Sequence, residues 1–319
     1  MLSEPAIFVN CVHNMHKAIH YTTPQHQAER ARETRPGTQL ASLMGAKQLL
    51  LRYLSRKARP YLRTYGLLQT AKIFNKSAIV WEPGNQSVLV LAPHMDDETI
   101  GCGGALAAHA SRGSAVTVVF LTDCSRGGRL RGGEGGRESD PATPEELIER
   151  RRGEARRALA ILGVQQMIFL GAPDGDLAPT PELVEQLHAI LLDVRPSLIY
   201  LPCFLEEHPD HRAVSDVLLA ATESLPFEVQ CLAYEVWTPL FPNCFVNIDG
   251  TMDAKRRAIS EYATQLADSD YLHTALGLNA YRSSALLGKS CSFAEAFLSV
   301  ALSQYRHLYE DFRHAHAKT

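Results

Sequence analysis

Apolar residues from position 87 onward fall into short runs that are separated by longer amphipathic segments. A run of four to eight apolar residues is typical of a buried strand, whereas apolar positions three and four apart are typical of a helix. The pattern predicts strands over 87–92, 115–121, 167–170, 197–201, 232–236 and 245–248. Helices are predicted over 98–112, 144–162, 181–194 and 210–225, and residues 252–312 are predicted to be mainly helical. This alternation predicts an α/β fold in which helices flank a mostly parallel sheet.

The first 80 residues follow a different pattern. Residues 1–36 are polar without clear periodicity, whereas 38–80 carry leucines at helical spacing that Pro60 interrupts. The segment 38–80 also has eight basic residues and no acidic one. Such helices either pack their apolar face on the rest of the protein or lie on an anionic membrane surface. We therefore divide the chain into an N-terminal extension with an extra helical segment, 1–80, and an α/β domain, 81–319.

The composition limits the kinds of partner and the cellular location that we expect for this chain. A formal net charge of −3 over 319 residues gives no electrostatic drive toward nucleic acid, so no nucleic-acid partner is expected. The seven cysteines form no Cys-x-x-Cys pair, which argues against a Cys-rich zinc site and favours the reducing cytoplasm. No apolar run approaches the roughly 18 residues of a membrane span. We expect a cytoplasmic protein, and the basic segment leaves peripheral contact with the inner face of the membrane open.

A first polar cluster, Pro-His-Met-Asp-Asp-Glu at 93–98, directly follows the first predicted strand of the α/β region. Ligands of parallel sheets bind beyond the carboxyl ends of the strands, so His94, Asp96 and Asp97 lie where chemistry is expected. A histidine and one aspartate can share a divalent ion such as zinc, while the second aspartate faces the attacking water. Acids also stabilise a helix N-terminus, which explains Asp97 and Glu98 but not His94. The cluster is therefore a candidate metal site.

A second cluster, His-Pro-Asp-His at 208–211, follows the fourth predicted strand. That strand ends at the same edge of the sheet, so one histidine is placed to complete a site of two histidines and one carboxylate. The other histidine is a candidate for stabilising an oxyanion or for protonating a leaving amine. Asp210 either orients that imidazole or caps the following helix. The two clusters together predict a metal centre at this edge.

These motifs, with three others in the same order, make the chain similar to the PIG-L or LmbE-like deacetylases. The resemblance covers about residues 86–300. One departure is Met95, where the family often has proline; it lies between the ligands and contributes no donor atom. The resemblance rests on Pro93-His94-Met95-Asp96-Asp97-Glu98, Arg151–Glu154 with Leu162-Gly163-Val164, Leu170-Gly171-Ala172-Pro173-Asp174-Gly175, His208-Pro209-Asp210-His211 and Ala294-Glu295-Ala296-Phe297.

The resemblance implies a Rossmann-like fold and zinc-dependent removal of an acetyl group from N-acetylglucosamine-type sugars. It implies that His94, Asp97 and His211 are the metal ligands. Asp96 would be the general base. Because the same ligand types suit Fe2+ and Co2+, these ions are alternatives to Zn2+.

The resemblance also implies residues that act on the substrate. His208 would stabilise the oxyanion or act as the acid, with Asp210 orienting it. Arg151 and Asp174 match positions that contact the sugar, although either neighbouring arginine is an alternative match to Arg151.

The substrate class is less closely defined by the sequence than the reaction is. A predicted loop over 123–143 is rich in glycine and arginine, and it either closes over an anionic substrate or is a solvated flexible loop. If it closes over substrate, the loop and the basic segment 38–80 together suggest a nucleotide-linked or lipid-linked amino sugar. The oligomeric state is not indicated. Two alternatives compete with this prediction: a metal-dependent hydrolase of another amide conjugate, and a non-catalytic sugar-binding protein that retains a relic site.

Overall fold

An eight-stranded sheet runs through the computed structural model, which describes residues 79–126, 143–267, 269–286 and 290–317. The strand order across the sheet is β1-β7-β8-β6-β5-β2-β3-β4. Neighbouring strands are parallel except at β8, which runs antiparallel to both β6 and β7. This confirms the predicted mostly parallel sheet. In chain order the strands are β1 (Ile79–Val80), β2 (Ser87–Ala92), β3 (Ala115–Thr122), β4 (Gln166–Ala172), β5 (Leu198–Pro202), β6 (Gln230–Tyr234), β7 (Cys244–Asn247) and β8 (Ala294–Ala301).

Helices cover both faces of the sheet. At the start of the second, third and fourth helix, the side chains of Thr143, Thr180 and His208 each accept a backbone N–H, and a proline occupies the first turn. Both features favour helix initiation at these points. The helices are α1 (Asp97–Ser111), α2 (Pro144–Ile161), α3 (Pro181–Val194), α4 (Pro209–Ala221), α5 (Met252–Ser260), α6 (Ala263–Leu266), α7 (Tyr271–Ser283) and α8 (Leu302–Ala317).

Strand β2 separates two apolar cores because its side chains alternate between the faces of the sheet. Val88 and Val90 join a core that includes residues of α1, α2 and α5. Leu89 and Leu91 join a second core with residues of α3, α4 and α8. All four side chains are fully buried. Burial on both faces explains why this run is continuously apolar rather than alternating.

Two glycines allow α1 to pack closely on the sheet. A Cβ atom at Gly101 would collide with the ring of Tyr234, and one at Gly104 would lie 2.7 Å from Ile248. Because no side chain intervenes, the helix that begins at Asp97 lies directly against the sheet beside the carboxyl end of β2.

The C-terminal region departs from the prediction at one strand. Residues 252–312 are predicted to be mainly helical, and α5, α6, α7 and most of α8 agree with this. The segment Ala294–Ala301, however, forms β8, which pairs with β6 and β7 and is largely buried on both faces. Pairing on both edges therefore overrides the helix propensity of its alanines.

Residues 1–78 and 127–142 lie outside the described residues. The predicted helices and membrane contact of 38–80, and most of the predicted 123–143 loop, fall there and stay predictions. The division at residue 80 also stays a prediction, although Ile79 and Val80 already belong to the sheet as β1. Within the part of the chain that the structure describes, no helix has the length and apolar character to cross a membrane. The cytoplasmic location stays a prediction.

Candidate active site

The candidate site lies where the strand order of the sheet reverses. From β2 the chain continues to β3 and β4 on one side, and it then crosses to β5 and β6 on the other. Ligands of such sheets bind in the crevice beyond the carboxyl ends of the strands at this reversal. His94 follows β2 and the cluster 208–211 follows β5, so both sequence clusters border the same crevice.

His94, Asp97 and His211 converge in this crevice. Asp97 Oδ2 lies 3.1 Å from His94 Nδ1 and 3.3 Å from His211 Nε2. Asp97 is the first residue of α1, and His211 lies in the first turn of α4, so two helix starts bring the side chains together. The three predicted metal ligands are therefore neighbours in the structure.

The buried imidazole of His211 fits a cation at this point. Both of its ring nitrogens are buried, and neither makes a hydrogen bond within the described residues. Leaving a buried polar atom without a partner is costly, so such atoms call for an explanation. A divalent cation would provide one, because it binds imidazole nitrogen and carboxylate oxygen alike.

Carboxylates lie on the far side of both imidazoles. His94 Nε2 is 3.1 Å from Asp210 Oδ2 and 3.4 Å from Asp174 Oδ1. His211 Nδ1 is 3.8 Å from Glu206 Oε2, which is an ion-pair separation rather than a hydrogen bond. A histidine ligand commonly presents its second nitrogen to a carboxylate, which fixes the ring and its tautomer. This arrangement leaves His94 Nδ1 and His211 Nε2 facing each other across Asp97.

From the sequence we expected Asp210 to orient His208. In the structure the Asp210 carboxylate faces His94 instead. Its oxygens also accept the backbone N–H groups of Gly175 and Leu177, at 2.7 and 3.1 Å. His208 is supported instead by the backbone of Asp210, whose N–H donates to His208 Nδ1 at 3.2 Å. The Asp210 carboxylate therefore contacts His94 and the backbone of the loop after β4.

Burial and mutual charge shift the pKa values of the three predicted ligands. Burial alone would raise the pKa of Asp97, but the charge of the nearby His211 imidazole and a hydrogen bond with His94 lower it well below its usual range. Burial lowers the pKa of His211, but the charge of Asp97 outweighs it and raises that pKa to about 9. Burial also lowers the pKa of His94, but hydrogen bonds with the surrounding aspartates outweigh this effect. The pKa of His94 is therefore raised well above its ordinary value. A metal ion would displace the protons that these imidazoles otherwise hold.

Asp96 differs from its neighbour Asp97 in conformation and in pKa. Its backbone has φ 156° and ψ −27°, outside the regions that L-residues usually adopt, and its side chain does not cap α1. The side chain is buried, and burial together with the charge of Asp97 raises the pKa of Asp96 well above its usual range. A carboxylate with a raised proton affinity beside candidate metal ligands has the properties of a general base.

His208 lies next to both candidate imidazole ligands. Its ring centroid is 4.8 Å from that of His94 and 5.0 Å from that of His211. Burial and the two neighbouring imidazoles lower the pKa of His208, so its neutral form is favoured. Because its Nδ1 accepts a backbone N–H, the neutral ring carries its proton on Nε2.

Comparisons with known proteins show the family to which this chain belongs. Residues 89–222 match the family described as PIG-L: GlcNAc-PI de-N-acetylase. A conserved protein of known structure from Thermus thermophilus is 30% identical, and the alignment covers 67% of this chain and 94% of that chain with a TM-score of 0.55. This chain belongs to the PIG-L family of LmbE-like deacetylases. A diacetylchitobiose deacetylase from Thermococcus kodakarensis is 29% identical over 207 residues, which are 59% of this chain and 73% of that protein.

The PIG-L fold is also shared by a protein with a different reaction. A 4-carboxy-2-hydroxymuconate hydratase from Pseudomonas putida is 24% identical, with a TM-score of 0.56 over 67% of this chain and 95% of that chain. This likeness shows the fold alone. The reaction must therefore be argued from the site.

Arg151 and Asp174, the two predicted sugar contacts of this PIG-L protein, border the site. Arg151 Nη1 donates to the carbonyl oxygens of Cys124 and Arg126, at 2.6 and 2.7 Å. Asp174 Oδ2 accepts the N–H of Arg126 at 2.8 Å. Both side chains are buried and hold the chain where it leaves β3, whereas the arginines on either side of Arg151 are more exposed. Contact of Arg151 or Asp174 with a sugar stays a prediction.

Sequence reasoning missed Glu206, whose buried carboxylate lies beside His211. It accepts the backbone N–H groups of three successive residues, Val236, Trp237 and Thr238, at 2.6 to 3.3 Å. Its place two residues before His208 was the available signal. The groups that it binds lie about thirty positions later in the chain and carry no recognisable motif.

Proposed function

We propose that this chain is a metal-dependent N-deacetylase that acts on an N-acetylglucosamine-type sugar. The convergence of His94, Asp97 and His211 beside the buried carboxylate of Asp96 carries the proposal. Membership of the PIG-L family and the likeness to a diacetylchitobiose deacetylase support the same reaction class. Zinc is the metal that we expect, with Fe2+ and Co2+ as alternatives, since the same donor atoms bind all three.

Two groups of side chains place one donor atom of each member within 4.8 Å of the others. They are His94 with His208 and His211, and His94 with Asp174 and Asp210. We favour the ligand set that contains Asp97, because its Oδ2 lies between the two imidazoles. The Asp210 carboxylate already accepts two backbone N–H groups, which suits an orienting partner better than a metal ligand.

The chemistry follows from the remaining side chains. A divalent cation held by His94, Asp97 and His211 would supply a Lewis acid and would lower the pKa of a water molecule. Asp96 accepts the proton of the water that attacks the acetamide carbonyl carbon. His208 donates its Nε2–H to the carbonyl oxygen as negative charge develops there. Asp96 or His208 then protonates the nitrogen as the C–N bond breaks, which yields acetate and the free amino sugar.

Acetate release from a panel of saccharides tests this proposal. The panel contains N-acetylglucosamine, diacetylchitobiose, a nucleotide-linked and a polyprenyl-diphosphate-linked N-acetylglucosamine. We expect release from at least one of them by zinc-loaded protein, loss of release after chelation, and recovery with added metal. His94→Gln should abolish release, whereas His273→Gln, at an exposed histidine of α7, should not.

The outcomes separate the proposal from its alternatives. Release only from the diphosphate-linked sugars would support the nucleotide-linked or lipid-linked class that the sequence suggests. Bound zinc at one per chain without release from any saccharide would favour hydrolysis of another amide conjugate. Absence of both zinc and release would favour a non-catalytic protein with a relic site.

A further inference from the structure

The loop 235–240 that follows β6 borders the candidate active site. Strands β5 and β6 are parallel neighbours, so the segments that follow them leave the sheet side by side. One atom, Glu206 Oε2, lies 3.8 Å from His211 Nδ1 and 3.2 Å from the backbone nitrogen of Trp237. The backbone of Trp237 is therefore in contact with the carboxylate that faces a predicted metal ligand.

Buried ionic contacts hold this loop in place. On one side, the Glu206 carboxylate accepts the backbone N–H groups of three successive loop residues, Val236, Trp237 and Thr238. On the other side Glu235 forms a buried ion pair with Arg282 of α7, at 2.8 and 2.6 Å. Arg282 also donates to the carbonyl oxygen of Leu240 at 2.9 Å. Charge-assisted bonds from two directions fix the conformation of the loop.

The loop that is held in this way exposes a large aromatic side chain. Trp237 is 44% exposed, and its ring meets that of Tyr271 edge to face, with the centroids 4.8 Å apart. The contacts that anchor the loop involve the backbone of Trp237 and not its side chain, so they do not by themselves require an aromatic residue at this position. Aromatic side chains commonly line small-molecule sites, where a ring held on a fixed frame supplies apolar contact area.

We propose that Trp237 and Tyr271 form an aromatic wall that binds a second sugar ring, the one attached to the acetylated amino sugar. This inference rests on the proposed function. A pyranose ring presents C–H groups on its faces and hydroxyl groups at its rim, so it can stack on an indole while its hydroxyls stay hydrated. Because the wall contacts a ring that does not react, it strengthens substrate binding and leaves the chemical step unchanged.

Tryptophan fluorescence tests the wall directly, because the chain has only two tryptophans, Trp81 and Trp237. In Trp81→Phe protein the emission comes from Trp237 alone. We expect diacetylchitobiose to shift that emission saturably to shorter wavelength, and N-acetylglucosamine to leave it nearly unchanged.

Kinetics provide the second readout. Trp237→Ala should raise KM for diacetylchitobiose about tenfold, with little change in kcat, and should leave KM for N-acetylglucosamine unchanged. Tyr271→Ala should act in the same direction. Tyr281→Ala, at a 68% exposed tyrosine of the same helix, is the matched control and should change neither constant.

Two results would contradict the proposal of an aromatic wall. One is an equal rise in KM for both saccharides in folded Trp237→Ala protein, and the other is an unchanged Trp237 emission at saturating disaccharide. If the unsubstituted protein still releases acetate, either result leaves the proposed function standing. If no saccharide releases acetate, the proposed function fails. The emission shift still tests the aromatic wall in that case, because it reports binding and not catalysis.

Discussion

The strained backbone of Asp96 and the regular helix start at Asp97 give two adjacent aspartates different environments. Asp97 lies between two imidazoles that lower its pKa, whereas burial and the charge of Asp97 raise the pKa of Asp96. Two carboxylates whose environments push their pKa values apart are suited to different tasks. The favoured metal ligand and the favoured base can therefore follow one another in the chain.

Replacing Asp96 by asparagine separates these tasks. Asp96→Asn keeps the size of the side chain but cannot accept a proton, so we expect kcat to fall about 100-fold to 10,000-fold. Metal content, measured by elemental analysis, should stay at the value of the unsubstituted protein. Asp193→Asn, at an exposed aspartate of α3, should retain full activity. Full activity of Asp96→Asn would contradict the assignment of Asp96 as the base.

The position of Glu206 predicts an effect on metal binding. Its carboxylate faces His211 Nδ1, so Glu206→Gln removes the charge that favours a proton on that nitrogen and a metal on Nε2. We expect zinc affinity, measured by competition with a chromophoric chelator, to fall about 10-fold to 100-fold. Glu223→Gln, at an exposed position just after α4, serves as the control. An affinity within about twofold of the unsubstituted protein would show that Glu206 does not position His211.

The sequence predicted the candidate ligands because each belongs to a short local motif. His94 and Asp97 are three residues apart at the end of one strand, and His211 follows another strand whose end lies at the same edge. The Asp210 contact with His94 was not predictable in this way, because it depends on which face of α4 meets the loop after β4. Glu206 was missed because the backbone groups that it binds lie about thirty positions later in the chain.

At the scale of elements, strands with a continuously apolar sequence were the most readily predicted. The run Ser87–Ala92 is continuously apolar because β2 lies between two cores. Strand β8 was missed because its sequence, AEAFLSVA, includes alanines and a glutamate that favour helix. What makes it a strand is pairing with β6 and β7, and Glu295 within it is buried through partners distant in sequence.

The C-terminal end of α1 predicts a pH dependence of stability. His109 is fully buried, with Nε2 3.2 Å from the Tyr200 hydroxyl and Nδ1 3.0 Å from the Ser114 hydroxyl. Burial lowers the pKa of His109 from 6.5 to about 4. The unfolded chain therefore binds a proton more readily than the folded protein between these values. The contribution of His109 is fully present above pH 6.5 and declines as pH falls toward 4.

We expect this single group to reduce the free energy of unfolding by about 3 kcal/mol over that range. Urea denaturation at pH 7.5 and pH 4.5 measures the change. In His109→Gln, which cannot take up the proton, the free energy of unfolding should fall less between the two pH values than in the unsubstituted protein. His273→Gln, at an exposed histidine, should follow the unsubstituted protein. An equal fall in the free energy of unfolding in all three proteins would contradict the assignment of this pH dependence to His109.

At the scale of the whole molecule, one buried ion pair connects distant parts of the chain. Lys255 Nζ in α5 lies 2.6 Å from Glu295 Oε1 in β8, and both side chains are fully buried. Lys255 also donates to the carbonyl oxygen of Ile100, at 2.8 Å. The Glu295 oxygens accept the N–H groups of Gly104 and Ala105, each at 2.8 Å. The pair therefore joins α1, whose first residue is a candidate metal ligand, to the last strand of the sheet.

Removing only the cation of this pair should be more harmful than removing both charges. Lys255→Met leaves the Glu295 carboxylate buried without its counter-ion, so we expect the free energy of unfolding to fall by about 3 to 5 kcal/mol. In Lys255→Met/Glu295→Gln no charge is buried, and one amide oxygen still accepts a backbone N–H. We therefore expect the double variant to be more stable than Lys255→Met alone, although less stable than the unsubstituted protein.

Urea denaturation with linear extrapolation measures the three free energies. Arg313→Met provides the control, because the Arg313–Asp216 pair has a similar separation of 2.9 Å but an arginine side chain that is 65% exposed. Its loss should cost less than about 1 kcal/mol, since solvent screens an exposed pair. If the double variant were as unstable as Lys255→Met, the uncompensated charge would not be the cause of the loss. The effect would then come from packing of the lysine chain between α1 and α5, and the ionic link from β8 to the active-site helix would be of secondary importance.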